Sequence, residues 1–212
     1  MNKIYLVYLV LILIVLYLVY DTFFNKRKKL VRIVLKDLER YGGINETDSR
    51  IYEFLVPAWN STAEYSSVDI NNIMNIDNEK PWSAAFISYE MQKTGIKDFP
   101  ASARHSVYIV AARDKRLRNI GDTKLELYRV NEFKPRIGDL VAVSRSGSSV
   151  NYDTVKVGDA THVDIVVGIE NDRIITVGGN VGDTIAKTEY RTENGFIVNN
   201  KNFIGVIKNR HF

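Results

Sequence analysis

Hydrophobic and polar positions divide the chain into three stretches with different periods. Residues 4–20 form an unbroken run of Ile, Leu, Val and Tyr with no charge, glycine or proline. A run of this kind, roughly 25 Å long as a helix, predicts a transmembrane span at the short end of what a bilayer core requires. Tyr5 and Tyr8 at one end, and Tyr17, Tyr20, Phe23 and Phe24 at the other, suit the two interfaces. Residues 26–41 then carry Leu30, Val31, Ile33, Val34, Leu35 and Leu38 at helical spacing, stopped by Gly42-Gly43. A second helical stretch is expected over 47–65, interrupted at Pro57, followed by a polar, Asn-rich connection over 66–79. Pro81 and Gly95 bracket a third helix with Trp82, Phe86, Ile87 and Met91 on its apolar stripe. A fourth follows Pro100, with Ser102 as its expected cap.

From Leu125 onward the period shortens to that of strands. They are expected at Leu125–Val130, Asp139–Arg145, His162–Glu170, Arg173–Gly178, Thr184–Arg191 and Phe203–Lys208, with turn residues between them. Helices first and strands afterwards predict an α+β fold, an antiparallel sheet covered by the N-terminal helices. The expected organisation is a membrane anchor at 1–25, a basic juxtamembrane helix and linker at 26–46, and an α+β domain at 47–212.

Charge sharpens this division. The 212 residues carry a net charge of +4. Residues 1–40 hold eight basic and three acidic residues, so the remainder is net −1. The basic excess is therefore no nucleic-acid footprint, and no nucleic-acid partner is expected. Lys26–Lys29 and Arg32 beside the apolar run predict a single-pass protein in contact with the lipid bilayer through residues 4–24. The positive-inside rule favours its body on the cytoplasmic side. With no cysteine, disulfides, thiolate metal sites and a cysteine nucleophile are excluded. The three histidines lack metal-ligand spacing, no phosphate or dinucleotide loop occurs, and neither metal nor cofactor is expected.

Chemistry concentrates at three places. Ser83 falls in the first turn of the helix after Pro81, beside unpaired backbone N–H groups; it reads either as an assisted nucleophile or as a helix-end donor partner. His162 opens an apolar strand. A two-residue turn at Asn171-Asp172, with a bulge at Gly178-Gly179, brings Asn180 round to it, as a third residue that would fix its tautomer. Asp164 shares the face of His162 and is a second candidate orienter. His105 is either a second site histidine or a surface residue near a helix end; the surface reading is favoured. His211 is expected to be exposed and inert.

Trp-Ser-Ala-Ala-Phe-Ile-Ser at 82–88, Pro-Arg-Ile-Gly-Asp-Leu-Val at 135–141, His-Val-Asp-Ile-Val-Val at 162–167 and Gly-Gly-Asn-Val at 178–181 occur in that order. The combination resembles the papain-like cell-wall amidohydrolases of the NlpC and CHAP type, and within them domain-of-unknown-function family 2272. The resemblance covers roughly residues 50–208. It implies a papain-like fold with a nucleophile at the helix start, a histidine base at the strand start and a polar orienter on the next strand. Carried over residue by residue, these are Ser83, His162 and Asn180, with Ser83 where the wider group keeps cysteine. It further implies Arg145 as a binder of an anionic group, within a substrate-binding set of Trp82, His105, Arg145 and Asp164. The implied function is hydrolysis of amide or peptide bonds in peptidoglycan or a related peptide. The alternative is a non-catalytic module whose cleft holds a peptide, a glycan or a partner protein.

Overall fold

The computed structural model describes residues 3–73, 81–145, 147–198 and 202–212, with side chains of residues 3, 4 and 18–24 left out. Among the described residues, five α-helices and a short 3-10 helix (Ser49–Ile51) lead into seven strands. The helices are α1 (Lys3–Phe24), α2 (Lys26–Tyr41), α3 (Tyr52–Asn60), α4 (Ser83–Thr94) and α5 (His105–Arg118). The strands are β1 (Leu125–Tyr128), β2 (Leu140–Ser144), β3 (Thr161–Ile169), β4 (Arg173–Gly178), β5 (Ala186–Glu193), β6 (Phe196–Ile197) and β7 (Phe203–Asn209). They form one sheet in the order β1-β7-β2-β3-β4-β5-β6, antiparallel at every pairing. The expected α+β class and antiparallel sheet are thus present.

The membrane expectation requires correction. Among the described residues no helix is long and apolar enough to cross a membrane. The described side chains of α1 run from Tyr5 to Tyr17, all exposed. That stretch rises roughly 20 Å, against a bilayer core of about 30 Å. The transmembrane helix, the single-pass localisation and the cytoplasmic placement that depended on them are withdrawn. The side chains of Tyr20, Phe23 and Phe24, and residues 74–79 of the Asn-rich connection, lie outside the described residues.

α2 belongs to the packed body. Asn25 caps it, accepting from the N–H groups of Arg27 and Lys28, and its Leu30 and Val34 are fully buried. Helices α2 and α3 both pack on α4, which packs in turn on β3 and β4. Phe54 of α3 is the joint of this layer. Its ring contacts those of Tyr41, Trp82, Phe86 and Tyr89 at centroid distances of 5.5–6.2 Å. Pro57 does not break α3 as expected; the carbonyl it leaves unpaired one turn back belongs to exposed Glu53, where water can serve it.

The sheet's helix-facing side supplies Leu140, Ala142, Val163, Ile165 and Ile207 to the main core. Its other face holds a smaller cluster around Val141, Val166, Ile174, Phe203 and Val206. Residues alternate between these clusters along β2 and β3, as strand period two requires. β5 returns to β6 through Asn194-Gly195, both at positive φ, the conformation of a two-residue type I′ turn.

Because Phe54 touches four aromatic rings inside a closed layer, Phe54→Ala should destabilise the protein by about 3–5 kcal/mol. Urea denaturation of the two proteins would read this directly, and a loss below 1 kcal/mol would show that the cluster is not the joint described.

Candidate active site

Ser83 is the first residue of α4, after Trp82 as N-cap with no side-chain cap bond. The first-turn N–H groups are thus left for other acceptors. Its Oγ lies 2.7 Å from His105 Nε2 and 2.9 Å from Arg145 Nη2. A guanidinium can only donate, so Ser83 Oγ accepts from Arg145. The arrangement that uses every group then has the Ser83 hydroxyl donate to His105 Nε2. His105 Nδ1–H donates to the Tyr108 hydroxyl, its other partner.

His105 is only 4% exposed, which corrects the surface reading. The loop before α5 is tied down by polar side chains that the apolar pattern does not reveal. Ser88 Oγ donates to the Ser102 carbonyl and accepts from the Ser102 N–H, both at 3.1 Å. Glu64 accepts from the Ser102 hydroxyl and the Ala103 N–H, and Ser102 Oγ accepts from Arg104 N–H. These bonds seat the first turn of α5 against the first turn of α4, and His105 meets Ser83. The one local signal was the i,i+3 spacing of His105 and Tyr108 on a helix face. Burial pushes the His105 imidazole well below its ordinary pKa, with nearby His162 and Arg145 adding to the shift. It is neutral at pH 7 and able to accept a proton. Burial likewise keeps Tyr108 protonated.

His162 has a different partner. Its Nε2 lies 2.7 Å from Asp164 Oδ1, and its ring stands edge-on to that of His105 at 5.2 Å. Asp164 Oδ2 accepts from the Tyr190 hydroxyl at 3.1 Å and lies 3.3 Å from Thr176 Oγ1. Of the two orienters considered for His162, Asp164 makes the contact. Asn180 donates instead to Glu46 Oε2 at 2.7 Å, and the Trp82 indole N–H donates to the same oxygen at 2.7 Å. Trp82 is fully buried. The end of β4 explains the change at Asn180. The β3–β4 irregularity falls between Val166 and Gly168 rather than at Gly178-Gly179, β4 stops at Gly178, and Asn180, at φ 55°, turns out of the ladder and carries its amide to Glu46. His211 is also enclosed, its side chain 2% exposed and its Nε2 3.2 Å from Asp98, rather than free in solvent.

Ser83, His105 and Arg145 line one cavity of about 750 Å³, together with Tyr65, Arg104 and Thr161. Arg145 is held there by its Nε, which donates to the Thr161 carbonyl at 3.3 Å. Among the described residues no group of three His, Asp or Glu side chains could hold a metal ion.

Fold and site together define an α+β protein with a helix-start serine, hydrogen-bonded to a buried neutral imidazole at the floor of a cavity. The family described as "Uncharacterized protein conserved in bacteria (DUF2272)" matches residues 53–211, and the chain belongs to that family. No curated protein and no solved structure matches the chain.

Gly178 leaves room for the second histidine. A Cβ there would fall inside the Asp164 carboxylate and within 3.0 Å of His162 Nε2. Gly178→Ala should therefore part His162 from Asp164 while leaving Ser83–His105 in place. Imidazole NMR spectra at one pH would show the His162 ring resonances moved and those of His105 unchanged; the reverse result would refute the separation of the two histidines.

Proposed function

We propose that this chain is a serine-dependent hydrolase of amide or peptide bonds, with Ser83 as nucleophile and His105 as general base. The observation that carries the reading is the position of Ser83 Oγ, between His105 Nε2 and Arg145 Nη2 at the start of α4. The motif likeness to the papain-like amidohydrolases supports the same reaction class, with a peptide or peptidoglycan fragment as substrate.

A serine hydroxyl needs fuller assistance than a thiol. His105 Nε2 takes the proton as Oγ attacks the carbonyl carbon. The Arg145 guanidinium, already donating to Oγ, stabilises negative charge developing there and on the carbonyl oxygen. The first-turn N–H groups of α4 supply further donors for that oxygen. Imidazolium so deep in the protein is costly, so His105 readily returns its proton to the departing amine. Water then attacks the acyl-serine with His105 again as base; the ester C–O bond breaks, the acid product leaves, and His105 returns the proton to Ser83 Oγ. The His162–Asp164 pair, whose ring abuts His105, sets the electrostatic surroundings of the base.

One observation favours the competing reading, a cleft that binds a peptide or glycan without cutting it. Ser83 is only 1% exposed and Arg145 lies against its hydroxyl. Turnover decides between the two. Peptidoglycan fragments or an alkyl fluorophosphonate probe, incubated with the full chain, should be cleaved or should label Ser83. Ser83→Ala and His105→Ala should each lower the rate by about 10³ or more. Undiminished turnover in either variant would refute the assignment, and loss in His162→Ala alone would move the base to His162.

The pH profile carries a sign. His105 must be neutral to act as base, and its pKa is depressed by burial. kcat/KM should therefore stay level as pH falls through 6.5, the ordinary imidazole value, and drop only at lower pH. An acid limb centred above pH 6.5 would contradict this.

A further inference from the structure

Thr161 has a feature that the fold does not explain. It is 5% exposed, lines the Ser83 cavity, and its Oγ1 has no hydrogen-bond partner among the described residues. A buried orphan hydroxyl costs stability, and valine would fill the same strand position without that cost. Thr161 is therefore placed to meet something that enters the cavity. The charged groups around it indicate what. Of the two carboxylates lining the cavity, Glu64 is committed to Ser102 and Ala103, and Asp159 accepts the Lys156 N–H. The two guanidinium groups are less committed. Arg104 has no side-chain partner among the described residues, and Arg145 uses Nε and Nη2 while no described residue accepts from its Nη1.

We propose that the Ser83 cavity contains a carboxylate subsite formed by Arg104, Arg145 and the Thr161 hydroxyl. The substrates of the proposed hydrolase are then peptides ending in a free carboxylate close to the bond that is cut. That the bound peptide is a substrate rests on Ser83 as nucleophile; the carboxylate subsite rests on the cavity lining alone. A planar guanidinium fork matches a carboxylate in shape and charge, and Arg145 reaches both Ser83 and the subsite. The carboxylate therefore lies within a residue or so of the reacting carbonyl.

The test titrates the full chain with N-acetyl-alanyl-alanine and with its C-terminal amide by calorimetry, while chromatography of the same mixtures follows cleavage. The acid should bind roughly tenfold or more tighter than the amide. Thr161→Val should raise the melting temperature by a few degrees and yet weaken binding of the acid severalfold. Arg104→Gln should weaken it as well. Preference for the acid without cleavage upholds the subsite and counts against the hydrolase. Cleavage of acid and amide with equal KM overturns the subsite and leaves the hydrolase standing. Equal affinity for acid and amide, or unchanged acid binding in Thr161→Val, overturns the proposal outright.

Discussion

The contact between Gly179 and the first two turns of α4 governs much of what surrounds it. Any side chain at Gly179 would run into the Phe86 Cβ and the Trp82 ring. The helix therefore sits as close to the end of β4 as backbone allows, closer than ordinary helix–sheet packing permits. α4 is buried along most of its length, with the small residues Ser83, Ala84, Ala85 and Ser88 among its enclosed positions. It also places a serine with uncapped helix-end amides at the rim of the sheet, where β2 and β3 deliver Arg145 and Thr161. The site is thus a by-product of tight packing at one point.

The polar constellation divides into two circuits that meet at the edge-on contact of two imidazole rings. One runs from Arg145 through Ser83 and His105 to Tyr108. The other joins His162, Asp164 and Tyr190. Low dielectric strengthens both and makes each intolerant of a missing partner. Burial above all, and then the second imidazole and the Arg145 cation, make His105 resist protonation. The same surroundings that weaken it as a base favour charge on the serine oxygen.

The periodic elements were legible in the sequence. Helix α4 was marked by Pro81 and Gly95, and the strands by their turns. The anchor expected from the run at 4–20 is the exception, since no described helix is long and apolar enough to cross a membrane, and hydropathy alone reports what a segment avoids and not what it meets. The site was legible in its residues and obscure in its pairings. His105 reads as a surface residue because the bonds that bury it come from Glu64, Ser88 and Ser102, none of which an apolar pattern registers. Counting register carries β4 on toward Asn180, but the strand stops at Gly178 and Asn180, in the left-handed region, turns its amide to Glu46. The roles of Thr161 and Glu46 depend on three-dimensional proximity between distant segments and had no local signature at all.

Glu46 stands outside the stretch shared with the family, as does the whole of α2. Yet its carboxylate holds both Trp82, the residue before Ser83, and Asn180 on the far loop, while its N–H donates to the Asp183 carbonyl at 2.9 Å. Leu30 and Val34 meanwhile fill part of the core beside α4. The sequence unit that marks kinship and the physical unit that folds are therefore not coextensive. A chain begun at residue 53 would keep every nominal site residue and lose the brace that sets their spacing, so that the borders of the family are a poor guide to where the protein can be cut.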